Sequence, residues 1–197
     1  MKFRAICLII LFLNQGTCQD GVELKQKAVT RATNYGSSYF SSDQYIEMFD
    51  FVLDEIQSGK DASKVGSNAV TKMMSILTPE QYSEVMGFGA TLVVALGLTG
   101  ITGFFNKVST VLANNMAAFF EQIQTKSVAL KANGASDLEI DRQGYIMALE
   151  FLTPKRCETL ICRVKKSFTP SQWSKMYNGL SKFLLITKYN DNEDCQF

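Results

Sequence analysis

The stretch VMGFGATLVVALGLTGITGFFN, residues 85–106, decides how this chain folds, because it runs for 22 residues without a charged side chain. Five glycines interrupt its apolar residues: Gly87, Gly89, Gly97, Gly100 and Gly103. Burying such a segment requires the interior of a helical bundle, an apolar ligand or a lipid bilayer. We predict one apolar, Gly-rich helix at the centre of a bundle, shielded by its neighbours, with a break or hairpin near Gly97–Gly103 as the alternative.

The amino terminus, residues 1–18, has the features of an export signal. Two basic side chains precede a short apolar run, and the small residues Gly16 and Cys18 occupy positions −3 and −1 for cleavage before Gln19. The apolar run is too short to span a membrane. We therefore expect a secreted, extracellular protein whose folded domain covers residues 19–197.

Charge and composition exclude several classes of function. Removal of Lys2 and Arg4 with the signal leaves 18 of the 20 basic side chains against 19 acidic ones, so we expect no nucleic-acid partner. The chain contains no histidine, which removes Ser-His-Asp and Cys-His catalysis and His-ligated zinc. We expect a protein that is not an enzyme and that has neither a cofactor nor a metal site.

Helix-start signals recur along the chain. Each is a hydroxyl residue that can accept a hydrogen bond from a free backbone N–H of the first turn, and in three cases a proline follows. These starts are Ser41, Thr78, Ser136, Thr153 and Thr169. Strand-like alternation is absent. The sequence predicts an all-α, single-domain bundle of seven or eight helices.

Apolar residues spaced by three and four positions define the longer helices. They predict a helix between Asp43 and Ser58, a long helix from Phe104 to about Ala132, and an additional C-terminal helix over residues 170–187. The spacing of Glu139 to Glu150 also resembles a calcium-binding EF-hand loop, but its ligand positions depart from that pattern. We favour a plain helix from Asp137 to Leu152.

The two halves of the chain resemble each other. A shift of 75 residues places Ile76-Leu77-Thr78-Pro79 on Phe151-Leu152-Thr153-Pro154 and Gly59 on Gly134. This register suggests duplicated three-helix units over residues 42–96 and 104–167. Coincidence between similar helix caps is the alternative.

Three cysteines remain after cleavage before Gln19. Cys157 and Cys162 point about 140° apart on a helix, so they cannot bond to each other without breaking it. We predict a disulfide between Cys162 and Cys195, with Cys157 as a small buried hydrophobic residue. Two disulfides become possible if cleavage falls earlier and Cys18 is retained.

Adjacent aromatic residues give the helices wider apolar arcs than one neighbouring helix requires. Such helices are buried on several sides or line a cavity. We predict a cavity for an apolar ligand such as a fatty acid, a retinoid or another lipid. The candidate ligand-binding residues are Phe49, Met73, Met74, Met86, Phe104, Phe105, Phe119 and Phe120.

Two other functions remain open. Residues 85–106 are long enough to cross a bilayer, although their flanks lack clusters of Lys or Arg, so the protein could interact with or insert into a membrane. A secreted effector that binds another protein without a small-molecule ligand is the third possibility.

Overall fold

The computed structural model describes residues 21–34 and 39–181, and it has no strand within them. Its helices are α1 (residues 21–34), α2 (Ser42–Gln57), α3 (Ala62–Ile76), α4 (Pro79–Leu96), α5 (Gly100–Ala132), α6 (Asp137–Phe151), α7 (Pro154–Lys166) and α8 (Pro170–Leu180). The prediction of an all-α, single-domain bundle is confirmed. The export signal and Cys195 lie outside the described residues, and the duplication of units 42–96 and 104–167 stays a prediction.

All five predicted helix starts are confirmed. Each hydroxyl accepts a hydrogen bond from the backbone N–H three residues later, as Thr153 does from Arg156 at 3.3 Å. A further start, at Asp61, caps α3 in the same way, with 2.8 Å between its carboxylate and the Lys64 nitrogen. The stretch that resembles an EF-hand is a continuous helix, α6, as favoured from the sequence.

The prediction of one central helix over residues 85–106 is wrong, because the chain breaks after Leu96 and turns by 88° into α5. Gly97 has a φ of 79°, which side-chain-bearing residues rarely adopt. At Gly100 an added Cβ would lie 2.5 Å from the Leu92 carbonyl oxygen, so only glycine permits this approach of α5 to α4. The glycines therefore make a corner, in agreement with the alternative of a break near Gly97–Gly103.

Contrary to the sequence-based prediction, no neighbouring helix of the described residues shields the tip of the corner between α4 and α5. Leu98 is fully exposed, and Val94 is 73% exposed. Within the described residues no single helix has both the length and the apolar composition of a membrane span. The sharply bent pair of α4 and α5 meets that criterion only when the two helices are taken together.

Helix α5 has 33 residues, about 50 Å at 1.5 Å per residue, and packs against α2, α3, α4, α6 and α7. Phe104, in its first half, belongs to a group of buried side chains that we name the α8 cluster: Leu92, Ala95, Phe104, Phe168, Trp173, Met176 and Leu180. Residues of its second half belong to another group, which we name the α2 cluster: Leu53, Ile56, Val65, Phe119, Phe120, Ile123 and Tyr145. One helix thus joins two separate groups of buried side chains.

Stacked aromatic rings join α5 to its neighbours near its start and near its middle. The Phe104 ring stacks on Phe168 with 5.6 Å between centroids. The Phe119 ring stacks on Phe151 of α6 at 4.1 Å, with an interplanar angle of 8°. Each contact joins α5 to a residue outside it, so the position of α5 sets the spacing of the helices around it.

The substitution Gly100→Ala should lower the free energy of unfolding by roughly 1–3 kcal/mol, because the new methyl group meets the α4 backbone, which cannot move aside cheaply. Gly103→Ala is the matched control. Its methyl group would lie 3.6 Å from the Thr99 hydroxyl oxygen, an ordinary contact, so stability should be unchanged or slightly higher. Urea unfolding followed by circular dichroism measures both, and equal stability of the two variants would contradict the close approach at the corner.

Candidate functional site

The main candidate site is an apolar cavity of about 320 Å³, which we name the α1 cavity. Residues of α1, α2, α3, α5, α6 and α7 line it, and nearly all of them are apolar. Small residues account for the empty space, because they leave room that larger side chains would fill: Ala28, Ala32, Ala62, Gly66, Ala69, Ala113 and Ala148. Phe49, Phe119 and Phe120 form aromatic parts of the wall.

A second cavity, of about 310 Å³, lies beside the α8 cluster, and we name it the α8 cavity. Its lining is entirely apolar and includes Met73, Phe104, Phe105 and Trp173. Leu112, near the middle of α5, lines both cavities. The two spaces are therefore neighbours along the same helix.

The structure divides the predicted ligand-binding residues between these cavities. Phe49, Phe119 and Phe120 line the α1 cavity, whereas Met73, Phe104 and Phe105 line the α8 cavity. Met74 lines neither cavity. Met86 also lines neither and is 49% exposed on α4. The predicted set is thus not brought together at one place.

Among the described residues that line the α1 cavity, three bring polar side chains to it: Arg31, Tyr145 and Cys157. The Tyr145 hydroxyl donates a hydrogen bond to Asp50 at 2.7 Å, and burial, followed by this carboxylate, raises the pKa of the phenol well above its ordinary value. The Cys157 thiol is free and donates to the Leu152 carbonyl oxygen at 3.6 Å. Burial raises the pKa of this thiol, while the positive charge of Arg31 opposes that rise.

Three aspartates, Asp50, Asp54 and Asp141, form an acidic group close to Tyr145. Burial and neighbouring carboxylates raise the pKa of both Asp54 and Asp141, and Asp50 forms an ion pair with Lys25 of α1 at 2.7 Å. The described residues contain no group of three or more acidic or cysteine side chains arranged to hold a metal ion. The contacts of Asp50 connect α1, α2 and α6, so this group holds three walls of the α1 cavity together.

Cys157 is a free, half-buried thiol, and Cys162 is disulfide-bonded. The predicted partner, Cys195, lies outside the described residues, so the Cys162–Cys195 pairing stays a prediction.

A family model described as "Uncharacterized protein B0228.1-like" matches residues 3–179. The chain belongs to this family. No curated protein and no solved structure matches it. The matched range includes every residue that lines the α1 cavity, so this cavity lies within the part of the chain that defines the family.

Sequence reasoning missed the contribution of α1 to the site. Ala28, Arg31 and Ala32 line the cavity, and Leu24 packs against the α2 cluster on the same side of this helix. Their spacing of four, three and one positions follows one helical face. That pattern was the available signal, and the arginine within an otherwise apolar face was its most informative member.

Proposed function

We propose that this protein binds an apolar small molecule, such as a lipid, in the α1 cavity. The observation that carries the proposal is the cavity itself, about 320 Å³ with an almost wholly apolar wall. Ligand sites are typically apolar spaces of roughly 300–1,000 Å³ with a few placed polar groups, so this cavity lies at the small end of that range. Together with the export signal predicted at residues 1–18, this describes an extracellular carrier.

The chemistry of the wall supports an apolar ligand over a polar one. Apolar cavities tend to exclude water and to accept apolar molecules, whereas a polar ligand would leave its hydrogen-bonding groups without partners there. A bound chain gains about 25 cal/mol for each Å² of apolar surface removed from water. The aromatic rings of Phe119 and Phe120, both buried, offer rigid contact surface for such a chain.

Binding without catalysis is part of the proposal. The chain contains no histidine, and the Tyr145 hydroxyl already donates to Asp50. The Cys157 thiol has a raised pKa, which disfavours the nucleophilic thiolate. These side chains favour a site that holds its ligand unchanged.

The substitution Ala113→Leu should weaken binding of dodecanoate and of dodecan-1-ol by at least about tenfold, or about 1.4 kcal/mol, because the larger side chain fills the α1 cavity. The folded protein should be as stable as the wild type or more stable, since the cavity is filled from within. Calorimetric titration measures affinity, and urea unfolding measures stability. Ala118→Leu, on the exposed side of α5, is the control and should bind as the wild type does. Undiminished binding by Ala113→Leu would refute the location of the site.

Contact with a lipid surface is a second candidate function, and the corner between α4 and α5 favours it. Leu98 is fully exposed there, with the exposed residues Val93, Val94 and Ile101 beside it. No charged residue occurs between positions 85 and 106, so nothing in this corner opposes insertion between lipid headgroups. A clustered apolar surface of this kind marks an interaction site in many proteins.

The substitution Leu98→Asp should reduce binding to phosphatidylcholine vesicles by at least about tenfold, because a carboxylate at the tip of the corner would have to leave water. Vesicle flotation measures the bound fraction. Leu138→Asp is the matched control, since Leu138 is 53% exposed but lies on α6, away from the corner. Equal binding by the two variants, or no binding by the wild type, would rule out the corner as a lipid contact.

A further inference from the structure

Among the described residues that line the α1 cavity, Arg31 is the one cation in a largely apolar wall. Of its three residues with polar groups, Tyr145 uses its hydroxyl hydrogen on Asp50, and Cys157 directs its thiol to the Leu152 carbonyl oxygen. Arg31 differs from both because a guanidinium has five N–H donors. Among the described residues of this wall, Arg31 therefore has N–H donors that remain for a ligand.

Backbone carbonyls hold the Arg31 side chain in place. Its Nη1 donates to the carbonyl oxygen of Leu149 and, at 3.0 Å, to that of Leu152. These oxygens belong to the last turn of α6 and the residue after it, where the negative end of the helix dipole favours a cation. Backbone carbonyls thus hold the guanidinium at the cavity, and no acidic side chain of the described residues takes part.

Arg31 also lacks a counter-ion within the described ranges, since no carboxylate there forms an ion pair with it. Its Nε and Nη2 donate to no described acceptor. An arginine beside apolar walls usually has a carboxylate partner, because removing its charge from water is costly without one. The Nε and Nη2 edge of a guanidinium is a planar pair of donors that matches the two oxygens of a carboxylate.

We infer that the ligand of the α1 cavity is a long-chain carboxylic acid, whose carboxylate binds Arg31 while its hydrocarbon chain lies against the apolar wall. This inference rests on the proposed function, because it assigns a head group to the ligand of the same cavity. It selects a fatty acid, or another carboxylate with an apolar body, over the corresponding alcohol or ester. Arg31 accordingly determines specificity, and the aromatic and alanine side chains provide the affinity for the chain.

Calorimetric titration with dodecanoate and dodecan-1-ol, which share a chain length, tests this inference. The wild type should bind the carboxylate at least about tenfold more tightly than the alcohol, since a charge-assisted pair contributes more than a neutral hydrogen bond. Arg31→Gln should remove this preference, because it weakens the binding of dodecanoate much more than that of dodecan-1-ol. Arg31→Lys should retain part of the preference, because the charge remains but the planar pair of donors is lost.

Arg156→Gln is the matched control. Arg156 also donates to a carbonyl near the end of α6, that of Phe151 at 3.3 Å, but it does not line the α1 cavity. This variant should keep the wild-type preference for the carboxylate. Urea unfolding of each variant accounts for any loss of folded protein.

The possible outcomes separate the two proposals. Equal wild-type affinity for the carboxylate and the alcohol would overturn the role of Arg31 and leave ligand binding intact. An equal loss of both affinities in Arg31→Gln would assign Arg31 to holding α6 and would overturn the inference as well. Failure of the wild type to bind either compound would overturn the proposed function itself, and this inference with it.

Discussion

The structure depends on the packing of α5 against two separate groups of side chains. A helix of 33 residues is too long to be covered by one partner, so its first half packs in the α8 cluster and its second half in the α2 cluster. The Phe104–Phe168 stack holds it near its start, and the Phe119–Phe151 stack holds it near its middle. Between these anchors, the remaining helices have to close around α5, and they do so without filling all the space.

The unfilled space explains both the candidate site and its chemistry. Where alanines of several helices line the same space, as Ala28, Ala113 and Ala148 do, their short side chains leave a cavity. The ion pair of Lys25 with Asp50 and the bond of Tyr145 to the same carboxylate hold α1 and α6 against α2. Arg31 is placed by α6 carbonyls at the same cavity. The apolar wall and the position of Arg31 thus follow from the contacts between these helices.

Local signals in the sequence were sufficient for the helices and insufficient for their arrangement. Thr78, Thr153 and Thr169 mark helix starts because capping needs only a hydroxyl and a nearby backbone N–H. The corner at Gly97 could be predicted only as an alternative, because its glycines are compatible with both close packing and a turn. The division of the Phe and Met residues between two cavities depends on which helices become neighbours, which spacing along one helix does not specify. Arg31 was missed for the same reason, since its position at the cavity depends on carbonyl oxygens at the end of α6 and not on α1 alone.

The most direct test of an apolar ligand in the α1 cavity is the alkylation rate of Cys157, a free thiol in its wall. Peptide mass spectrometry measures this rate with and without dodecanoate. We predict that alkylation is about tenfold slower at a dodecanoate concentration of about ten times the dissociation constant, because the occupied cavity excludes the reagent. An unchanged rate at saturating dodecanoate would contradict it.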